Sequence, residues 1–430
     1  MTFKDCLGRR LLVLDGGTGT QLQARGLEPG ETPERWNLER REDLIAIHRS
    51  YYEAGADLVM SNTFGANRLK LHDCPYDVKD LVAAGIENLR TARDQAGHGW
   101  LGLDVGPTGR LLAPMGDLDF DEARAAFAET IQAGAAAGAD AVVIETMTDL
   151  YELKAAVLAA KESCSLPVLA TVAFSETGRL LTGGDPAAVV ALLEGLGVDA
   201  LGLNCGAGPL QLSDTVRALV SLASVPVVFK PNAGLPHTSA CGCVHYDIDA
   251  DTFAAAVAEE ARRGVAVAGG CCGTTPEHIA RLHAACAGLT VPEVSPNPAV
   301  YLSSGSQAVD ARSLDLAALT PIAVPDDPDD LLDEVFERQD AEEPVLRLAF
   351  SAASLSPLEA VEAVQEISRL PLWLEGADAA RLEDALRRLN GKAMVTVPQG
   401  DAALTALLRR YGGVAWDPDT GGFTDCKANS

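Results

Sequence analysis

The 430-residue sequence has few aromatic and few basic side chains. Phe, Trp and Tyr make up 5% of the chain, and 34 Lys and Arg stand against 61 Asp and Glu, which gives a formal net charge of −27. A surface this acidic repels phosphate backbones and anionic lipid, so we expect neither a nucleic acid nor a membrane as a partner. Ala, Gly, Leu and Val dominate instead, which favours an α/β protein with close helix–sheet contacts.

Long apolar runs and export signals are also missing. No stretch reaches the ~18–20 uncharged apolar residues of a transmembrane helix. The N-terminal sequence "MTFKDCLGRRLLVLDGG" has only a short apolar run, which ends in Asp-Gly-Gly and lacks a secretory pattern. We therefore expect a cytoplasmic protein whose ten cysteines are reduced, so that a cysteine cluster indicates a metal or catalysis rather than a disulfide.

Short apolar runs alternate with amphipathic helical stretches between residues 11 and 287. Near-continuous apolar runs are typical of strands buried on both faces of a parallel sheet. Eight such units predict a (β/α)8 TIM barrel, with a doubly wound open sheet as the alternative. The runs are LLVLDGG (11–17), DLVMSNTF (57–64), WLGLDVGP (100–107), AVVIETM (141–147), PVLATVAF (167–174), ALGLNCG (200–206), PVVFKPNAG (226–234) and GVAVAGGCCG (264–273).

Polar residues fall where these predicted strands end. In a barrel all eight carboxyl ends open on one face, where the active site is built. We therefore predict a functional site at that face. The residues at the predicted strand ends are Asp15, Asn62, Asp104, Glu145, Cys205, Asn232, Cys271 and Cys272.

The composition changes after residue 290. Residues 291–344 contain several Pro, an "SSGS" and the acidic run "PDDPDDLLDEVFERQDAEE", which predict an extended, partly disordered linker. Four short strand–helix units then return, too few for a complete barrel of ~200 residues or more. We therefore divide the chain into a barrel domain (1–290), a linker (291–344) and a small α/β domain (345–430).

The string "GGCCGTT" (269–275) sets Cys271 and Cys272 side by side between glycines. Neighbouring side chains of a regular strand point to opposite faces, but Gly269, Gly270 and Gly273 free the backbone to turn, so that both thiolates can reach one metal. A third cysteine ends a strand two units earlier, in "LNCG" (203–206). Three cysteines with one open position are the ligand set of a catalytic zinc site, and thiolates favour Zn²⁺ over Mg²⁺ or Ca²⁺.

Other interpretations of the cysteines stay open at this point. Cys205 can also fill space in a core, because cysteine is among the most buried residue types, and a strained vicinal disulfide is an alternative for the adjacent pair. "ACGCVH" (240–245) brings Cys241, Cys243 and His245 together, and we interpret it as a loop with surface thiols. The other cysteines have no partner in sequence and are interpreted as structural: Cys6, Cys74, Cys164, Cys286 and Cys426.

Five ordered motifs resemble the homocysteine S-methyltransferase family, and within it the homocysteine-binding module of cobalamin-dependent methionine synthase. The resemblance implies a TIM barrel that holds Zn²⁺ on Cys205, Cys271 and Cys272, with the homocysteine sulfur in the fourth position. In relatives an Asn at the position of Asn232 can take that place when substrate is absent, so Asn232 is a weaker candidate ligand. The motifs, between about residues 5 and 290, are "LLVLDGGTGTQL", "SNTFGANRLKL", "GLNCG", "KPNAGLP" and "GGCCGTTPEHI".

Thiol chemistry fits the reaction that the resemblance implies. A free thiol has a pKa near ~8.5 and is mostly protonated at neutral pH, whereas coordination to Zn²⁺ removes the proton. The electron-rich sulfur can then attack an activated methyl group and give methionine without a general base. For the amino-acid end the resemblance implies Asp15 and Glu145, which suit the ammonium group. The turn "DGGTGT" offers N–H groups at Gly16, Gly17 and Thr18, which suit the carboxylate.

These substrate contacts also have alternatives. "DGGTG" can be a plain strand–helix turn, and it lacks the full Gly-x-Gly-x-x-Gly pattern and the P-loop Lys, which disfavours nucleotide binding. Glu145 can serve as a cap or as a salt-bridge partner. Asn62 and Thr63 in "SNTFGAN" either shape the mouth of the pocket or make structural hydrogen bonds.

The C-terminal stretch bears on the methyl donor. Residues 371–401 resemble a strand–helix–strand piece of a pterin-binding barrel, but Glu375-Gly376 and Thr396-Val397-Pro398 replace the "Asp-Ser" and "Asn-Ser-Ile" of those barrels. We therefore expect a degenerate remnant that does not bind folate and that docks a partner or packs on the first barrel. The Asp-x-His-x-x-Gly corrinoid signature is absent, so the expected donor is methylcobalamin on a separate corrinoid protein.

Two other functions remain as alternatives. Betaine or S-methylmethionine can be the donor; a quaternary ammonium group needs an aromatic cage, for which Trp36 is the one Trp expected near the barrel mouth. The third possibility is a non-catalytic zinc protein that acts as a scaffold or sensor.

Overall fold

The computed structural model describes residues 1–238, 244–291 and 297–428, and a parallel sheet of eight strands forms its first part. Leu14 bridges to Leu58, which brings the first and last strands of the sheet together. The sheet therefore closes, and the prediction of a TIM barrel over an open sheet is confirmed. The strands are β1 (Leu12–Val13), β2 (Leu58–Met60), β3 (Trp100–Val105), β4 (Ala141–Met147), β5 (Val168–Val172), β6 (Ala200–Asn204) and β7 (Val227–Lys230), then a hairpin of β8 (Pro236–Thr238) and β9 (Val244–Tyr246), and β10 (Val265–Ala268).

The order of strands around the sheet is β1-β10-β7-β6-β5-β4-β3-β2, with every neighbouring pair parallel. Because all eight strands run the same way, their carboxyl ends share one face of the barrel. Asp15 and Cys205 follow their strands at this face, and Glu145 lies two residues before the end of β4.

Helices connect the strands, and their starts carry the expected caps. Asp119 accepts hydrogen bonds from the N–H groups of Asp121 and Glu122, and Asp249 accepts one from Thr252, so orphan donors of the first turns are satisfied. The helices are α1 (Phe3–Cys6), α2 (Thr18–Ala24), α3 (Trp36–Glu39), α4 (Arg41–Glu53), α5 (Val78–Ala96), α6 (Phe120–Ala136), α7 (Leu150–Ser163), α8 (Pro186–Gly195), α9 (Ser213–Leu222), α10 (Ala250–Arg262) and α11 (Pro276–Cys286), with a 3-10 turn at Pro33–Arg35.

One apolar cluster fills the barrel. It joins inward side chains of the strands, among them Leu58, Val143 and Val228, to Phe3 and Cys6 of α1. Packing is tight enough to require glycine at position 202, where a Cβ would lie 2.0 Å from the carbonyl oxygen of Val228 on β7. Burying these aliphatic side chains removes apolar surface from water, which is the main stabilising contribution to such a core.

The chain divides into two compact units. The first comprises Met1–Thr148, Ala155–Leu181 and Val198–Pro296, and it contains all eight barrel strands. The second comprises Asp149–Lys154, Thr182–Gly197 and Asn297–Ser430.

The second unit is a smaller α/β fold, as predicted. A six-stranded sheet in the order β13-β14-β15-β17-β18-β19 has an antiparallel last strand, and β12-β11-β16 form a second sheet. Its elements after residue 296 are β11 (Tyr301–Ser304), β12 (Ala308–Asp310), β13 (Ile322–Ala323), α12 (Pro328–Asp340), β14 (Leu346–Ala349), α13 (Pro357–Ile367), β15 (Leu372–Glu375), α14 (Ala379–Arg388), β16 (Gly391–Lys392), β17 (Met394–Thr396), α15 (Ala402–Tyr411), β18 (Gly413–Trp416) and β19 (Phe423–Cys426).

Two short segments from earlier in the chain belong to this second unit. Lys154 is buried, and its Nζ donates to the carbonyl oxygens of Leu386 and Leu389 at 2.7 Å, just where α14 ends. Such a position favours a cation, because the carbonyls of the last helical turn have no partner inside the helix. Glu194, at the end of α8, pairs with Lys427 at 2.5 Å.

The structure differs from the extended connector that the acidic run between 291 and 344 predicts. Residues 301–340 contain β11, β12, β13 and α12. Most of the acidic run forms α12. Leu331 and Val335 of this helix are buried, while the acidic residues around them remain in solvent. Residues 292–296 lie outside the described part of the chain. None of the described helices combines the length and the apolar character needed to cross a membrane.

His48 on α4 is fully buried, and neither ring nitrogen has a hydrogen-bond partner among the described residues. Burial lowers the pKa of His48 from 6.5 to about 4, since the charged ring would lose its hydration. The side chain is therefore neutral in the folded protein at neutral pH.

We predict that His48→Leu reduces the acid sensitivity of the fold. A depressed folded-state pKa means that the unfolded chain takes up the proton first, so the stabilising effect is complete above the unfolded pKa and is lost as pH falls towards 4. Denaturant unfolding at a series of pH values measures this. Between pH 6.5 and pH 4, the free energy of unfolding of wild type should fall by about 3 kcal/mol more than that of the variant. Parallel curves for the two proteins would contradict the prediction.

Candidate metal centre and substrate pocket

Backbone hydrogen bonds tie together the carboxyl ends of β6, β7 and β10. Each bond crosses between neighbouring strands just beyond the regular sheet, so the three strand ends are fixed relative to one another. The bonds run from Cys205 N to Lys230 O (3.1 Å), from Cys271 N to Pro231 O (2.9 Å) and from Ala233 N to Cys272 O (3.0 Å).

Three sulfur atoms meet at these strand ends. The Sγ atoms of Cys205, Cys271 and Cys272 lie within 4.8 Å of one another. In a tetrahedral zinc site with 2.3 Å bonds, neighbouring sulfurs stand about 3.8 Å apart, so three thiolates at this spacing fit a Zn²⁺ ion. The backbone is bent to achieve this, since Cys205 has a φ of 59° that non-glycine residues adopt at a cost of roughly 1–2 kcal/mol.

The glycines around Cys271 and Cys272 do not all give the backbone the conformational freedom that the sequence predicts. Of the three glycines expected to free the backbone, Gly273 has a positive φ, of 80°. Gly270 is needed for space instead, because a Cβ there would lie 2.3 Å from Oγ1 of Thr274.

The three thiols share protons. Hydrogen bonds from Cys271 and then Cys272 lower the pKa of Cys205, so the cluster stabilises a negative charge on sulfur. Cys271 donates its proton to this bond, which raises the pKa of Cys271 to about 11. The pKa of Cys272 is raised because this thiol also donates to Cys205. A cation that binds here replaces protons, which is how thiol sites couple metal binding to proton release.

Asn232 lies beside this cluster. Its side-chain amide lowers the pKa of the Cys205 thiol, because it favours the charged sulfur. Its Oδ1 is buried and has no hydrogen-bond partner among the described residues. An unpaired buried amide oxygen is costly, and a bound cation would satisfy it.

The sulfurs face a cavity of about 250 Å³ that acidic side chains also line. Asp104 and Glu145 line it together with Lys230, and Asp15 lies fully buried beside them. Lys230 Nζ is 2.8 Å from Oε2 of Glu145 and 3.7 Å from Oδ1 of Asp15. The cavity therefore joins a sulfur-rich wall to a group of buried charges.

Burial and pairing oppose each other in this group. Burial raises the pKa of Asp15 to about 7 although Lys230 lowers it, and it raises the pKa values of Asp104 and Glu145 as well. Burial also lowers the pKa of Lys230, but Glu145 and Asp15 outweigh this, so its pKa stays above the ordinary value. The lysine therefore stays positively charged, whereas its single charge does not fully compensate the three acids, whose pKa values remain raised.

A bulge directs Glu145 into the cavity. The register of β4 against β5 shifts between Ile144 and Met147, and Thr146 has a φ of 61°. Asn204 holds this bend, because its Oδ1 accepts hydrogen bonds from Thr146 N (2.7 Å) and from the Thr171 hydroxyl (2.8 Å). Bulges of this kind commonly re-aim a side chain at a functional site.

The turn after β1 forms a third wall of the cavity, with Gly16, Gly17 and Thr18. Gly17 N donates to Oγ1 of Thr274 at 3.1 Å, and this hydroxyl donates to the carbonyl oxygen of Cys271 at 2.7 Å. One threonine thus connects the turn to the cysteine pair. A Cβ at Gly17 would lie 2.7 Å from the same carbonyl oxygen, so glycine is needed for this approach.

The sequence profile of the homocysteine S-methyltransferase family matches residues 12–286. The chain belongs to this family. It is 40% identical to the methionine synthases of Mycobacterium tuberculosis, over 320 residues, and Mycobacterium leprae, over 304 residues. These matches cover 69% and 66% of the chain but 26% and 25% of the relatives, so the chain spans about a quarter of their length.

A solved member of the homocysteine S-methyltransferase family is similar in fold. The homocysteine methyltransferase MmuM from Escherichia coli, in its metallated form, is 26% identical and superimposes with a TM-score of 0.56. The match covers 64% of this chain and 96% of that structure. The resemblance read from the five motifs is therefore confirmed.

The fold brings most of the sequence-predicted site residues of this family member to one cavity. Thr63 makes a structural bond to the carbonyl oxygen of Asp104 at 2.8 Å, whereas Asn62 lines the cavity. Trp36 is buried under the Arg40 guanidinium and is not among the lining residues. Cys241 and Cys243 lie outside the described residues.

Sequence reasoning missed Lys230, Thr146, Asn204 and Thr274. A signal existed for Lys230, since it is the one charged residue in the apolar run "PVVFKPNAG". Thr146 and Asn204 carry no signal of their own, because their roles depend on pairing between β4, β5 and β6.

We predict that Asn204→Ala destabilises the protein by about 2–4 kcal/mol, because it leaves two buried donors without an acceptor. Thr171→Val is the matched control, since it removes one of these donors and keeps the shape; it should cost about 1 kcal/mol. Urea unfolding measures both. Equal losses for the two variants would mean that Asn204 does not hold the bend.

Proposed function

We propose that this protein transfers a methyl group to the sulfur of homocysteine and gives methionine, with Zn²⁺ held by Cys205, Cys271 and Cys272. The observation that carries the proposal is the meeting of three cysteine sulfurs within 4.8 Å at a cavity that buried acids also line. Sulfur ligands suit a thiophilic metal, and acids suit the ammonium group of an amino acid. Family membership and the similarity to methionine synthases support the same substrate.

Zinc bound there would keep the incoming thiol ionised at neutral pH and so supply the nucleophile. The chain's own residues prepare this site. The Asn232 amide favours the charged form of Cys205, and its unpaired Oδ1 makes Asn232 a candidate for the fourth ligand before substrate arrives. The thiol proton passes to solvent. The thiolate sulfur then attacks the methyl carbon, and the new S–C bond forms while the bond from carbon to the donor breaks, so that the donor leaves with the electron pair.

The cavity can orient the amino-acid end of the substrate. We assign the ammonium group to Glu145, which lines the cavity, and to Asp15, which is buried beside it. The carboxylate is assigned to the turn of Gly16, Gly17 and Thr18, at N–H groups other than that of Gly17, which donates to Thr274. Contacts at both ends would hold the thiol towards the cysteines, which is the positioning effect that accelerates transfer.

For the methyl donor we propose methylcobalamin on a separate corrinoid protein, in a cytoplasmic setting. Similarity over a quarter of the length of two methionine synthases supports this choice. A betaine-type donor is placed second, because Phe64 is the one aromatic side chain among the described residues that line the cavity, and a quaternary ammonium group prefers a cage of several rings.

Assays of the purified, zinc-loaded protein with homocysteine test the proposal. The donors to compare are methylcobalamin, methyltetrahydrofolate, betaine and S-methylmethionine, with methionine as the measured product. We expect methionine with methylcobalamin. Bound zinc without methionine from any donor would instead support a scaffold or sensor.

We predict about one zinc ion per chain and its loss, together with activity, in Cys272→Ala. Removing one of three sulfurs leaves too few ligands for a stable site. Metal analysis after dialysis is the measurement. Cys286→Ala is the matched control, because Cys286 is a buried free cysteine outside the cluster and its variant should keep the zinc. Full zinc in Cys272→Ala would remove that residue from the ligand set.

We predict that Glu145→Gln weakens homocysteine binding by about 10- to 100-fold, since a charge-assisted hydrogen bond to the ammonium group is lost. Zinc content should be unchanged, because Glu145 is not a ligand. Calorimetry with the zinc-loaded protein measures the affinity. Glu260→Gln, which changes a buried glutamate paired with Arg217, is the control and should bind as wild type does. Wild-type affinity in Glu145→Gln would exclude this glutamate from the site.

A further inference from the structure

Lys230 is the one cation that the described residues place in the buried charge group of the cavity. Its side chain is 1% exposed at the centre of the barrel. The Nζ atom donates to Glu145 at 2.8 Å, lies 3.4 Å from the sulfur of Met60 and 3.7 Å from Asp15. No role in metal binding falls to it, because an ammonium ion has no lone pair to offer.

The aliphatic part of the Lys230 side chain is also closely packed. A Cβ at Gly269 would lie 3.1 Å from Cγ of Lys230 and 3.0 Å from Cβ of Leu14. Glycine at the start of the cysteine string therefore leaves the space through which the lysine reaches the acids. A side chain held this closely cannot swing away, so its charge stays at one point.

Two acid oxygens in the group still lack a donor. Oδ1 of Asp15 and Oδ1 of Asp104 are buried and have no hydrogen-bond partner among the described residues. Three acids thus surround one lysine, and the N–H donors that they lack are those of a second ammonium group.

We propose that Lys230 is a positioning residue for the ammonium group of the substrate. It holds Glu145 and Asp15 in place from the barrel centre and supplies one positive charge. A ligand that carries a second positive charge then compensates the acids that Lys230 leaves uncompensated. This inference rests on the proposed function, since it takes homocysteine as the substrate. It adds a basis for selectivity: an amino-acid thiol binds, whereas a thiol acid without the ammonium group leaves the acids uncompensated.

The physical reason is that a buried carboxylate needs a positive charge beside it. Lys230 Nζ lies 2.8 Å from Glu145 and 3.7 Å from Asp15, and it favours the charged form of both acids by lowering their pKa values. Without the lysine, burial and mutual repulsion favour the neutral acids, and the ammonium group of the substrate would lose its charge-assisted contacts. A ligand without this group would lose nothing.

Calorimetry with two ligands tests the inference. Zinc-loaded wild type and Lys230→Met are titrated with homocysteine and with 4-mercaptobutanoate, which lacks the amino group. We expect the dissociation constant for homocysteine to rise at least about tenfold in Lys230→Met, while that for 4-mercaptobutanoate changes by less than about threefold. Zinc content should stay at the wild-type level, and methyl transfer at saturating homocysteine should fall much less than the affinity does.

Three comparisons make the test selective. Lys392→Met removes a buried lysine that pairs with Asp425 in the second unit, and it should keep the wild-type preference between the ligands. Lys230→Arg retains the charge and should restore most of the preference. If Lys230→Met does not fold, Lys230→Gln carries the same test, because its amide can still donate to Glu145 without a charge.

The inference is overturned if the lysine variant keeps the wild-type preference, or if it loses affinity for both ligands equally, as a general disturbance of the pocket would cause. A wild-type protein that binds zinc but not homocysteine would refute the proposed function instead. The two failures are therefore distinguishable.

Discussion

The functional end of this protein depends on the hydrogen bonds that join the strand ends of β6, β7 and β10. Cys205 N donates to Lys230 O, and Cys271 N donates to Pro231 O. These bonds place sulfurs that are more than sixty residues apart in the chain within 4.8 Å of one another. The barrel therefore prepares the ligand positions through its backbone, and the strained conformation of Cys205 is maintained by the surrounding sheet.

Buried charge is the second constraint on the site. Ionised groups lose much hydration inside a barrel, and a buried pair is tolerated only where its members compensate each other. Lys230 compensates Glu145 and, at longer range, Asp15, but the acids outnumber it. The site is thus less favourable to folding than an apolar core would be, and the aliphatic cluster below it offsets this cost.

The sequence was sufficient for features that repeat or cluster locally. Eight apolar runs ending in polar residues predicted the barrel, and "GGCCGTT" predicted the turned cysteine pair of the sulfur cluster, because each signal lies within a few neighbouring residues. Features that depend on pairing between distant strands could not be predicted from the sequence. Thr146 adopts a left-handed conformation through a bulge against β5, with no glycine to mark it. The acidic stretch before residue 344 resembled a linker because α12 buries only a narrow apolar stripe.

The chemistry is divided between the two halves of the barrel. Asp15, Asp104 and Glu145 come from β1, β3 and β4, whereas the cysteines and Lys230 come from β6, β7 and β10. The acids and the sulfurs therefore lie in separate, consecutive stretches of sequence that meet only when the sheet closes. Lys230 crosses this division, because it comes from the second stretch and pairs with Glu145 of the first at 2.8 Å, so the two halves cannot be exchanged independently of each other.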